Sequence, residues 1–430
     1  MASTSNIFQG ITNVFSRFRR SDISGYLVII FGNLVGTPSA NFDMANHWLN
    51  KPETFFSPSH LGVYTGVAIV IFGSIWVLRN AYSQQSNYEN ESHKHKSFLR
   101  NHLAPHRWFF HSESLSLPTK LIFYGVIISF LAGPFDLAWH TLFGLDGLLS
   151  PSHATLRIGD ALSAIGTLLG IISTHPIMGS TMRSKQYYSI YPILIIVSIL
   201  PVIYSARGFI SMVTLPFSNT INFQWNLDPI AAAVIATLGY PFVISLFLYL
   251  SFRLANLNVN GSTGEKGSRT KVRGSRIKFG VLTTTGIALI ATMIFTVILP
   301  NKYLHATIPL YLVNLIPIVT ADILLTMAYA NNLGNSLSKR TAIITAGAIL
   351  GLTFFTLQYP FITYTYNQVL ENPQVIGPTN VHVVYFKMLN IVPLIIPPSI
   401  IMGILGVFVG SNLISRYVPQ KIVRSNSRTA

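Results

Sequence analysis

Two stretches of this chain carry the same three metal-ligand residue types at the same spacing. The first runs Phe42-Asp43-x-Ala45-x-His47 and closes on Ser57-Pro58-Ser59-His60; the second runs Phe135-Asp136-x-Ala138-x-His140 and closes on Ser150-Pro151-Ser152-His153. Both read Asp-x3-His-x12-His, 93 residues apart, with an acid ten positions after the Asp, Glu53 in one and Asp146 in the other. A carboxylate and two imidazoles suit copper, zinc or iron. Such a set leaves a coordination position open, and with copper that means oxygen or redox chemistry on a small substrate. A plain capping turn explains the Ser-Pro-Ser element, with Ser as cap and Pro at the first helical position. It does not explain an Asp and two His in both copies. A metal held by neutral imidazoles should be released as pH falls below the ordinary imidazole value, about 6.5.

This chemistry needs particular elements beneath it. Asp136 and His140 stand i,i+4, so on a helix they share one face. Ser150-Pro151 opens the next helix, and a short loop brings His153 back to the Asp/His pair. Each motif therefore predicts a helical hairpin, and the constant offset predicts a parallel internal repeat, 42–66 and 135–159.

The composition says where such hairpins sit. Only 10% of residues are charged, 50% are hydrophobic, and the mean hydropathy is +0.48. A spanning helix needs about 20 apolar residues. Ten runs meet that standard: 22–40, 61–79, 119–139, 154–174, 188–206, 228–251, 279–299, 308–330, 341–362 and 384–411. Gly36 and Pro38 interrupt the first, and no cleavage-site pattern follows it, so it reads as a span. The expected fold is an all-α polytopic membrane protein, multi-pass in the cell membrane.

Lys and Arg set the expected orientation. They crowd the N-terminal segment, the loops 80–118, 175–187 and 252–278, and the C-terminal tail. The alternate loops hold few (Lys51, Arg207, Lys302). Ten spans put every basic segment in the cytoplasm with both termini, and both motifs on the outer face. The domain plan is a cytoplasmic segment 1–21, a six-helix region 22–251, a basic linker 252–278, a four-helix region 279–411 and a basic tail 412–430. The net charge of +16 is thus positive-inside bias facing anionic lipid. Nucleic acid is not an implied partner; the lipid bilayer is. The absence of Cys removes disulfides, thiolate copper sites, iron–sulfur clusters and c-type haem attachment.

The run Asp136-Leu-Ala-Trp139-His140 through Leu149-Ser150-Pro151-Ser152-His153 resembles the signature of the C subunit of copper membrane monooxygenases. That family includes particulate methane monooxygenase and ammonia monooxygenase. Its C subunit carries Asp-x-x-Trp-His followed at the same spacing by Thr-Pro-Ser-His. The resemblance implies copper on Asp136, His140 and His153, and by the same pattern on Asp43, His47 and His60, with other membrane subunits as partners. It covers about 25 residues per copy. Ser stands here for the family's Thr, and the first copy has Asn46 in place of Trp. The family's acid-rich turn shrinks to Glu53 or Asp146, and its C subunit carries the motif once.

Other polar groups interrupt the apolar runs. His153, Arg157 and Asp160 form a stripe at i, i+4 and i+7, either a support or proton path behind a metal or a neutralised pair. Copy one holds His60, Tyr64 and Val67 there. Asp322 is either an ion or proton carrier or a hydrogen-bonded core acid. The loop 80–118 is rich in His (His93, His95, His102, His106, His111) and reads as a solvated loop with an interfacial helix. Three functions fit: a copper-dependent (alternatively zinc-binding) oxidoreductase or monooxygenase-like subunit; a metal transport or delivery protein; and an accessory protein without metal. A haem held between the hairpins by their His is a lesser alternative. Catalytic residues and substrate are not named by the pattern.

Overall fold

The computed structural model describes residues 23–48, 56–93, 116–143, 149–181, 184–214, 229–257, 278–299, 305, 308–330, 336–353 and 392–417. In hydrocarbon a segment must satisfy its own backbone polar groups, and the helix is the local way to do so. Among the described residues the chain forms helices and no strand. They are α1 (Ile23–Trp48), α2 (Pro58–His93), α3 (Leu117–Phe143), α4 (Pro151–Thr181), α5 (Ser184–Thr214), α6 (Pro229–Ala255), α7 (Val281–Met293), α8 (Ile308–Val313), α9 (Leu315–Ala330), α10 (Ser336–Gly351) and α11 (Val392–Tyr417). A π-helical turn, Ile294–Ile298, extends α7.

Eight of these helices are long and apolar enough to cross a membrane, and the chain is a multi-pass helical protein. The run 279–299 yields only the shorter apolar helix Val281–Thr296. The run 341–362 yields α10, a 16-residue helix ending at Gly351; residues 354–362 lie outside the described part, as do 384–391. The His residues of the loop 80–118 also lie outside it, except His93, which ends α2 with its side chain undescribed.

The first two hairpins cross by backbone contact. A Cβ at Gly66 would run into Gly36 and the carbonyl of Gly32; one at Gly159 would run into Ser129 and the carbonyl of Gly125. Only small residues let helix backbones meet this closely. The three contact positions of the first hairpin (Gly32, Gly36, Gly66) and of the second (Gly125, Ser129, Gly159) are 93 residues apart, the same offset as the motifs. Between the hairpins, α1 packs on α4 and α2 on α3.

The core lies further along the chain. In α5, Tyr191, Ile195, Ile199 and Ile203 fall at every fourth position and are buried. Of the apolar window of α5, 67% is buried, against 22% for α3. Helix α5 is therefore central, and α3 faces outward.

Of two polar residues singled out in the sequence, one departs from its reading and the other takes one of its two alternatives. Arg207, expected in an outer loop, lies inside α5, 5% exposed, with its Nη1 turned onto Met293 Sδ. The apolar window runs through the cation from Ile190 to Thr214, and the helix continues with it. Asp322 on α9 is fully buried, and its Oδ2 accepts bonds from the Thr283 amide (2.9 Å) and hydroxyl (2.8 Å). Gly280, with φ 91°, begins α7 without a side-chain cap, so Asp322 satisfies that helix start from a neighbouring element. At the other side of the basic linker, Asn256 Oδ1 accepts the Lys278 amide at 2.7 Å, while Asn256 Nδ2 donates to the Phe252 carbonyl at 2.8 Å.

Candidate metal centre

The last turns of α3 and the first turn of α4 build the second motif. Pro134 lies inside α3 without ending it, so Asp136 and His140 sit on continuous helix, one turn apart. Ser150 caps α4: its Oγ accepts the His153 amide at 3.2 Å, and its carbonyl accepts the Ala154 amide at 2.9 Å. Pro151 takes the first helical position, where its missing N–H costs nothing. The cap aims the first turn of α4 back at α3. Ser152 Oγ then donates to Asp136 Oδ1 at 2.6 Å and lies 3.0 Å from Ser150 Oγ.

The three expected ligands converge. Asp136 Oδ1 lies 3.5 Å from His140 Nε2 and 3.4 Å from His153 Nε2. One ligand atom from each residue falls within 4.8 Å of the other two. Ligands bound tetrahedrally at about 2.0–2.1 Å stand about 3.4 Å from one another. Both carboxylate–imidazole separations match that edge and exceed an ordinary hydrogen bond. The side chains are 30%, 19% and 15% exposed for Asp136, His140 and His153, so an ion can enter and keep an open position. The group can hold a metal ion.

The first motif is placed alike and closed differently. Helix α1 runs through Pro38 to Trp48, which puts Asp43 and His47 on its last turns. Ser57 precedes α2 as Ser150 precedes α4: its carbonyl accepts the Leu61 amide at 2.9 Å, and its Oγ lies 3.1 Å from Ser59 Oγ. His60 Nε2, however, sits 2.9 Å from Asp43 Oδ1, hydrogen-bonding distance and shorter than the tetrahedral edge. The His47 side chain lies outside the described residues, as do Glu53 and Asp146.

Both motifs open on one cavity of about 410 Å³ between the hairpins. Asp43, His60 and Tyr64 line it from the first, Asp136, Ser152, His153 and Arg157 from the second, and Met212 of α5 adds to its wall. Tyr64 lies within electrostatic reach of both Asp136 and Asp43. Below, Arg157 acts electrostatically on Asp160, which accepts a bond from Ser129 Oγ at 3.2 Å. Asp160 and Ser129 also line a small cavity of about 30 Å³ with Asn33. Asp322 takes no part in this site. His305 Nε2 lies 3.0 Å from the Leu299 carbonyl, at the end of the π-helical turn.

The sequence reading did not assign Ser152, Ser129, Tyr64 or Met212 to the site. Ser152 was legible only as part of a capping element, and Tyr64 only as the counterpart of Arg157. Ser129 and Met212 give no local signal, because their roles depend on which helices pack together. Comparison with family models, curated proteins and solved structures finds no match for this chain.

Proposed function

We propose that this protein is a copper-binding subunit of the cell membrane, oxidoreductase or monooxygenase-like, with one metal on Asp136, His140 and His153. The observation that carries the reading is the pair of carboxylate–imidazole separations, 3.5 and 3.4 Å, on two helix ends held by a Ser150 cap. Ser152 supports it by bonding the ligand carboxylate, as second partners of metal ligands do. Copper bound there would supply redox chemistry; the chain's own residues hold the ion and form the cavity beside it. The resemblance to the monooxygenase C subunit favours copper over zinc. The matching helix crossings support duplication of an ancestral hairpin. In the proposed topology, α7 with its π turn and α10 with the residues after it complete ten spans. Both termini are then cytoplasmic and the site faces outward.

Metal transport is the second reading, favoured by the polar groups beneath the site, Ser129 and Asp160. Arg157 weighs against it, because a fixed cation on the inward path repels a metal ion.

The test is metal content by mass spectrometry on protein purified in mild detergent without chelator, beside His153→Ala and His60→Ala. One copper per chain, lost in His153→Ala and kept in His60→Ala, is the expected result. No stoichiometric metal after a copper or zinc reload would overturn the reading. Zinc in place of copper would remove the redox function.

A further inference from the structure

The cavity has a chemistry of its own, and it is not that of a site for a very small gas. At about 410 Å³ it holds the volume of roughly a dozen waters, each about 30 Å³. That lies within the range of small-molecule sites, about 300–1,000 Å³. Its polar groups gather where the two motifs meet. The rest of the wall is apolar: Val63, Val67 and Ile71 recur at every fourth residue of α2 and form one stripe, and Phe130 and Leu137 face them from α3. Phe130 is 60% and Leu137 47% exposed, on the most outward-facing of the eight long helices. Two lining side chains thus also reach the outer surface of an apolar spanning helix, which gives an occupant a route through the bilayer.

The charges restrict its head group. Asp43 and Asp136 line the cavity where the motifs meet, and Arg157 lines it one turn of α4 beyond His153. An anionic head would meet two carboxylates, and a cationic head would meet the guanidinium. A hydroxyl or carbonyl can accept a hydrogen bond from Arg157 or Tyr64 without the cost of burying a net charge. We infer that the cavity binds an uncharged, bilayer-soluble amphiphile, a long-chain alcohol or ketone in chemical class. Its oxygen lies among Tyr64, Arg157 and the candidate metal ligands, and its apolar part lies between α2 and α3. As a substrate assignment this rests on the metal reading; as a binding site it rests on the cavity alone.

The experiment uses the full chain in lipid nanodiscs with a decanol carrying a diazirine near its tail end. Photolabelling is mapped by peptide mass spectrometry, and metal content is measured on the same samples. Labels should concentrate on peptides containing 63–71 and 130–137. Free 1-decanol should suppress them about tenfold more effectively than decane or decanoate. Val67→Phe, which fills the cavity, should lower labelling there about tenfold with metal content unchanged. Arg157→Met, which adds no bulk, should weaken competition by 1-decanol toward that of decane. Labels spread evenly over lipid-facing helices, including α11, or unaffected by both substitutions, would overturn the inference. Competition by decanoate equal to that of 1-decanol would overturn the uncharged head. Site-specific labelling on protein that binds no metal would sustain the pocket and sink the metal reading, so the two fail separately.

Discussion

The two N-terminal hairpins share a crossing, a capping turn and a motif, yet they close their motifs differently. In the second, one carboxylate oxygen stands at metal-edge distance from two imidazoles and takes a hydroxyl bond from Ser152. In the first, the corresponding carboxylate and imidazole approach to 2.9 Å, hydrogen-bonding distance. Four residues past each motif's final His the copies diverge outright, with Tyr64 in one and Arg157 in the other. The lesson is that a repeated ligand pattern can be closed by different side-chain geometry on one scaffold. The scaffold is shared, while the carboxylate–imidazole separations differ, 2.9 Å in the first copy against 3.5 and 3.4 Å in the second.

Substitutions can break this contrast. The largest effect is expected from Asp136→Ala, which removes the oxygen common to both close pairs. Copper content should fall to background by mass spectrometry, whereas Asp43→Ala should leave one ion bound; equal loss in both would make the copies equivalent. Next come the crossings. Gly159→Leu forces a side chain into the backbone of α3 and should cost about 1–3 kcal/mol, read as a lower midpoint in a detergent denaturation series. Gly133→Leu, at a glycine with open space around it, is the control and should change little.

Smaller again is Ser152→Ala. Loss of its 2.6 Å bond should weaken metal affinity about 10–100-fold by competition with a graded chelator. Ser59→Ala in the other copy should leave that affinity where it was. Asp322→Ala should have no effect on metal at all. It strands the Thr283 amide and hydroxyl, so stability should fall by about 1–3 kcal/mol with copper unchanged.

Eight of the ten expected span positions were legible because hydrocarbon thickness imposes a length on apolar runs. Their ends were not. The sequence runs close at 40 and 206, whereas α1 continues through Pro38 to the motif and α5 through Arg207 to Thr214. Within the site, the i,i+4 pair on α3 and the Ser-Pro start of α4 are local features, and they correctly brought Asp136, His140 and His153 together. The contrast with Asp43 and His60 depends on sub-ångström differences between hairpins, which spacing does not encode. The shared cavity depends on α2 meeting α3, and the role of Asp322 on α9 meeting α7. Those are facts of tertiary packing.

The bond from Asn256 to the Lys278 amide has a consequence for how this chain can be handled. The basic linker leaves α6 and returns to α7 at neighbouring points, so its two ends are fastened to each other independently of what runs between them. Lengthening a loop closed in this way costs little, about 0.6 kcal/mol per doubling. The linker is thus the natural place to splice in a fluorescent or affinity module, or to express the chain as two pieces that find each other again.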